Sequence, residues 1–166
     1  MSFDVFLLSC SRTGKTNSRP NPFTGQLMEV PVMAPMDAAV AELIRKRLVE
    51  LGTEVDANGS ATLQLPDGGH AEINASELFC QEECTSLALN VYSNSSSMVD
   101  LIYEISNTAG FAIQAAMEDS RAIVTRPALL SSAREIFGEA CVSATPDQLQ
   151  TLLAEGFSDF ESYRDK

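Results

Sequence analysis

Phe3-Asp4-Val5-Phe6-Leu7-Leu8 places apolar side chains on both alternating faces of an extended chain, and this constrains the fold more than any other feature. A strand of that kind belongs in the interior of a sheet, covered on both sides. A sheet with helices layered against it is the architecture that follows. Met36, Val40, Leu43, Ile44, Leu48 and Leu51 recur at helical spacing, with Asp37 in the first turn, Arg45, Lys46 and Arg47 later and Gly52 beyond the end. That spacing predicts the first helix.

Thr62-Leu63-Gln64-Leu65 and Ala71-Glu72-Ile73-Asn74-Ala75 alternate apolar with polar around Pro66-Asp67-Gly68-Gly69, which predicts a hairpin with one face toward water. Leu87, Leu89 and Val91 continue the alternation as a third strand. Ser97, with Asp100 in the reciprocal position, is expected to cap a second helix, with a buried stripe of Met98, Leu101, Ile102, Ile105 and Ala109 and an end at Gly110. A second hairpin follows, from Phe111 and Ile113 through Glu118-Asp119-Ser120 into Ala122-Ile123-Val124-Thr125. The last third offers a helix from Pro127 to Phe137, a short strand from Cys141 to Ser143, and a helix from Thr145 with Pro146 and Gln148 as opening signals and Gly156 as its stop. Phe157, Phe160 and Tyr163 lie in a tail, 157–166. Residues 9–35, with four prolines and no sustained period, read as a long irregular loop. The expectation is a single α+β domain over 1–166, with a largely antiparallel or mixed sheet and about four helices packed against it.

Charge is regional. Residues 48–120 contain twelve carboxylates and not one Lys or Arg, in a chain whose formal net charge is −12. Such a surface repels nucleic acid phosphates and anionic lipid headgroups and attracts cations, so a cationic protein partner is expected, with no direct nucleic acid and no membrane. No segment approaches the roughly 18 apolar residues of a membrane span, and the N-terminus lacks the pattern of a signal peptide. Cys10, Cys80, Cys84 and Cys141 stand at uneven spacings and read as free thiols, which suits a cytoplasmic location.

Motifs for chemistry are incomplete. Ser9-Cys10-Ser11-Arg12-Thr13-Gly14-Lys15-Thr16 ends like a phosphate-binding loop, but Ser9 replaces its first glycine. Asn17-Ser18-Arg19-Pro20-Asn21-Pro22 stands where a helix should supply amides. Arg19-Pro20-Asn21-Pro22-Phe23-Thr24-Gly25, followed by Val30-Pro31, resembles the tip of the DNA-clasping arm of HU-type architectural proteins. The remainder of this chain is acidic where that family is basic, and turn chemistry accounts for the shared residues. Cys80 and Cys84 would share a face only on a helix through Thr85, and His70 is the sole histidine, so no metal site and no cofactor is expected. Asp100 and Glu104, at i and i+4, read either as a carboxylate pair or as a solvated helix face. No catalytic residue is assigned.

Met1-Ser2-Phe3-Asp4-Val5-Phe6-Leu7, Leu63-Gln64-Leu65-Pro66-Asp67-Gly68-Gly69 and Leu101-Ile102-Tyr103-Glu104-Ile105 resemble a loose set of small bacterial proteins beginning Met-Ser-Phe-Asp. Some of these are regarded as immunity proteins against secreted toxins. The basic-free window and the lack of a catalytic set point to a non-enzymatic binding domain, immunity- or antitoxin-like as the resemblance implies. Its partner-binding residues are expected among Glu72, Glu82, Glu83, Asp100 and Glu104, with Phe23 and Met28 from the proline-rich stretch, whose flexible Met side chains suit irregular surfaces. Two alternatives stand beside it: a small-molecule or nucleotide-dependent enzyme using residues 9–16, and a homo-oligomeric structural or regulatory domain joined through residues 9–35 or the tail. The oligomeric state is not legible.

Overall fold

In the computed structural model, which describes residues 3–80, 83–93, 95–116 and 121–154, the two-faced apolar segment is β1 (Phe3–Ser9), an interior strand of an eight-stranded sheet. The chain continues through β2 (Arg12–Pro20), β3 (Leu27–Met33), α1 (Ala38–Glu50), β4 (Glu54–Val55), β5 (Ser60–Gln64), β6 (His70–Asn74) and α2 (Ser76–Cys80). Then come β7 (Ser86–Ser93), α3 (Ser96–Ala109), β8 (Phe111–Ala115), β9 (Ala122–Val124), α4 (Leu130–Phe137), β10 (Ala140–Val142) and a further helix, α5, described over 146–154. The large sheet has the order β10-β9-β8-β1-β7-β6-β5-β4, antiparallel except for β9 and β10, which are parallel and joined by α4. The fold is α+β and the sheet mixed but mostly antiparallel, as the sequence implies.

Alternation decides which side of each strand is covered. Val5 and Leu7 are wholly buried on one face, where Leu63, Ile73, Leu89 and Ile113 join Ile44 and Leu48 of α1, Met98, Ile102 and Ile105 of α3, and Leu149 and Leu153 of α5. Each such side chain contributes about 1.5–3 kcal/mol by leaving water. The opposite face is covered only at one end, where Ala112, Ala122, Val124 and Ala140 pack with Cys10 and with Ala133 of α4. The cover anticipated over both sides of β1 is therefore incomplete. Phe6 and Leu8 are only half-buried, because α4 does not extend across β1 to β4.

Helix termini obey local chemistry with one correction. Asp37 caps α1 by accepting from the Ala39 amide at 2.8 Å. Ser95, not Ser97, caps α3, accepting from the Met98 amide at 3.2 Å. The amide of Ser97 instead donates to Asp67 Oδ2 at 2.9 Å, so the hairpin turn reaches 30 positions along the chain to serve the helix, and Asp100 takes no part. Gly110 ends α3 in the left-handed conformation. On α5, Thr145 Oγ1 accepts from the Gln148 amide at 3.3 Å while Gln148 Oε1 accepts from the Ala144 amide at 2.8 Å. Leu43, expected in the buried stripe of α1, is 60% exposed.

The main departure is residues 9–35, which are not an irregular loop. β2 and β3 pair antiparallel as a separate two-stranded arm, with Asn17 opposite Val30 and Arg19 opposite Met28. Its tip is closed by Asn21, whose Oδ1 accepts from the amides of Phe23 and Thr24 at 2.8 and 3.2 Å. Its base is closed by a 2.7 Å bond from the Ala34 amide to the Ser11 carbonyl. The Glu118-Asp119-Ser120 turn and the 157–166 tail lie outside the described residues.

Candidate functional site: the open face of the sheet

The part of the sheet that no described helix covers forms a groove of about 700 Å³ across β1, β7, β6, β5 and β4. The register assembles it from alternate residues: Asp4 stands opposite Asn90, Asn90 opposite Glu72, Glu72 opposite Thr62, and Thr62 opposite Glu54. These side chains point away from the core because their neighbours Val5, Ala71, Ile73, Leu89 and Leu63 point into it. Asp56 completes the rim. Its Oδ1 accepts from the amides of Asn58 and Ser60 at 2.8 and 2.9 Å, which holds the turn between β4 and β5.

Four carboxylates, Asp4, Glu54, Asp56 and Glu72, thus line a groove that no Lys or Arg lines among the described residues, while Phe6, Val55 and Ala88 give it an apolar floor. Glu72 Oε2 accepts from the Tyr92 hydroxyl at 3.0 Å. That bond, together with desolvation and the charges of Glu72 and Asp4, raises the Tyr92 pKa, so the phenol keeps its proton and its role as donor. The His70 ring lies 5.0 Å from the Tyr92 ring. Asn90 Oδ1 is shielded from solvent yet has no hydrogen-bond partner, an acceptor available to a donor entering the groove.

The residues expected from sequence are distributed over several surfaces. Glu72 belongs to the open face. Asp100 and Glu104 sit on α3, across the sheet from it, where both Glu104 oxygens accept from Arg47 Nε at 3.1 and 3.2 Å. That ion pair borders a smaller cleft of about 330 Å³ between α1 and α3. Glu83 is exposed in the connection from α2 to β7, and Glu82 lies outside the described residues. Phe23 and Met28 are on the arm, 95% and 45% exposed, with Leu27 beside them at 75%. Asp4, Glu54 and Asp56 were not anticipated for the site. A carboxylate inside an otherwise apolar strand was the available signal for Asp4.

The remaining candidates are structural. Arg12-Thr13-Gly14-Lys15-Thr16 runs as strand rather than entering a helix, so its amides are not gathered at a helix terminus. Cys80 is exposed on α2 and Cys84 is buried in the non-helical connection to β7, so the two thiols do not share a helical face. Burial and then the charge of Glu77 push the Cys84 thiol up to about 11. Asp67 is held well below the usual carboxylate range by the Ser97 amide, with the Ser95 and Ser97 hydroxyls adding to it. Among the described residues, no three His, Cys, Asp or Glu side chains are grouped to hold a metal ion, and no helix is long and apolar enough to cross a membrane. Comparison with protein-family models, curated proteins and solved structures gives no match.

Proposed function

We propose that this chain is a non-enzymatic binding domain, immunity- or antitoxin-like in its logic, whose open sheet face covers a cationic protein surface. The observation that carries this reading is the groove lined by Asp4, Glu54, Asp56 and Glu72, with no cation among its described walls. Individual exposed ion pairs are worth only up to about 1 kcal/mol. The carboxylates therefore act chiefly on the rate and orientation of encounter, while Phe6, Tyr92 and the unpartnered Asn90 carbonyl oxygen supply short-range contacts. The cytoplasm is the proposed setting, consistent with four unpaired thiols.

The test is association of a polylysine peptide with the protein, followed by stopped-flow fluorescence at several salt concentrations. Raising ionic strength from about 0.01 to about 1 M shortens the screening length from roughly 30 to roughly 3 Å, so association should slow steeply. Asp4→Lys combined with Glu72→Lys should slow it about ten-fold or more at low salt, with the unfolding midpoint little changed. Binding that ignores both salt and these substitutions would refute the proposal.

A further inference from the structure

The arm raises its own question, because every residue of β2 is exposed and, among the described residues, its strands pair only with each other. A lone two-stranded ribbon is marginally stable in water. This one also holds Phe23 and Leu27 in solvent at its far end. Nine residues of β2 at roughly 3.3 Å each extend it about 30 Å, and its base is tied to the body through Ser9 Oγ and the Ala34 carbonyl and through Arg12 and the Glu135 carbonyl. The arm does not lie on the open face of its own chain, since none of its residues lines the groove.

Its charge is opposite to that of the groove. Arg12, Lys15 and Arg19 stand against the single carboxylate Glu29, which accepts from the Thr16 hydroxyl at 2.7 Å. One molecule therefore carries both an exposed cationic ribbon and an uncovered anionic sheet face. We infer that the arm of one copy docks on the open sheet face of a second copy, so that the chain self-associates by arm exchange. Arg and Lys side chains of the arm meet Asp4, Glu54 and Glu72, a guanidinium or ammonium donor reaches Asn90 Oδ1, and the apolar tip leaves water against the partner. Reciprocal docking makes the contact two-fold and closed, so it ends at a dimer instead of propagating. The inference rests on the reading of the open face as a cation-binding surface and names its occupant.

The experiment is sedimentation velocity on the full chain and on two charge-reversed variants, alone and mixed. One carries Arg12→Glu, Lys15→Glu and Arg19→Glu; the other carries Asp4→Lys, Glu54→Lys and Glu72→Lys. The unaltered chain should sediment at twice its 17.9 kDa mass at low salt and return to that mass at high salt. Each variant alone should remain at the single mass, because its arm and groove then share a sign. Their equimolar mixture should recover the doubled mass, because both arm-groove contacts are again opposite in charge. Circular dichroism confirms that the variants are folded.

A chain that stays at single mass throughout overturns the arm exchange, as does a dimer that neither variant weakens, or an arm that binds a short DNA duplex while the chain remains single. The polylysine assay, repeated with residues 12–33 replaced by a short Gly-Ser link between Ser11 and Ala34, separates the two readings. Groove-dependent binding by this shortened chain together with a monomeric parent removes the self-association alone. Loss of both removes the cation-binding face as well.

Discussion

Gly59 closes the turn between β4 and β5 at the rim of the groove, with φ +79° and its amide donating to the Asp56 carbonyl at 3.1 Å. A Cβ added there would stand 2.6 Å from Ser76 Cα and 3.1 Å from Cys80 Sγ, both on α2. The sulfur can rotate away, but Ser76 Cα is backbone and the Ala75 amide bonds the Gly59 carbonyl at 3.1 Å, so the helix cannot withdraw without breaking the ladder. Gly59→Ala thus meets two costs, about 1–2 kcal/mol for a left-handed non-glycine residue and about 1–3 kcal/mol for overpacking. Gly68 is the internal control. Its φ is +88° and nothing lies within 4 Å of the added carbon, so Gly68→Ala carries the first cost alone; both substitutions regain about 0.4–1 kcal/mol from the stiffer unfolded chain. In urea unfolding, Gly59→Ala should lose about 1–4.5 kcal/mol net, a fall in Tm of roughly 2–18 °C at this size. It should exceed Gly68→Ala by about 1–3 kcal/mol, with the denaturant slope unchanged. If the two substitutions cost the same, the contact between this turn and α2 is not as tight as described and the groove rim is softer than argued.

Four further expectations follow from other contacts. Glu77 Oε2 accepts from the Thr85 and Ser86 amides at 2.6 and 3.0 Å and from the Thr85 hydroxyl at 3.1 Å. Glu77→Ala should therefore cost about 2–4 kcal/mol by orphaning these donors at the start of β7, measured by the same urea titration. Because the Asp67 carboxyl is depressed in the folded state, its stabilisation is present above its ordinary pKa of about 3.9 and is lost as acid drives the pH below it. Asp67→Asn should flatten the acid limb of a Tm-versus-pH curve, and an unchanged limb would mean that the Ser97 amide does not hold the Asp67 carboxylate in its charged form. Cys84 has its pKa raised by burial, so folding stability should fall as pH climbs from about 9 toward 11, where only the unfolded chain loses that proton. In thiol labelling of the native protein at pH 8, the exposed Cys80 should react well before the buried Cys10 and Cys84.

What was legible in the sequence is what burial had imprinted on it. Leu63, Ile73, Leu89 and Ile102 alternate or recur because one side of each element faces the core, and β5, β6, β7 and α3 follow from those periods. The arm has no such imprint. Neither face of Arg12-Thr13-Gly14-Lys15-Thr16-Asn17-Ser18-Arg19-Pro20 is buried, so no period of two was written into it, and only the Asn21 to Gly25 turn could be read. β4 was missed because two residues, Glu54 and Val55, cannot establish an alternation. The cap of α3 was misplaced within the Ser95-Ser96-Ser97 run because the group that serves Ser97, Asp67, is remote in sequence. The open face was half visible: Thr62, Glu72 and Asn74 alternate outward in the expected way. Asp4 was hidden because β1 reads as covered on both sides, and only the short reach of α4 leaves it bare.

The interior position of β1 also bears on how the protein is made. Val5 pairs with Leu89 and with Ala115, so the strand synthesised before both of its neighbours must wait for roughly 100 residues of chain. At translation rates of about 5–20 residues per second, that is a delay of roughly 5–20 s. During this interval a short, β-prone, apolar segment is unpaired, the kind of stretch that nucleates aggregation. Asp4 is its only charge. The carboxylate that later marks the open face is thus also a gatekeeper for the nascent chain, and replacing it with a neutral residue should be felt first in soluble yield.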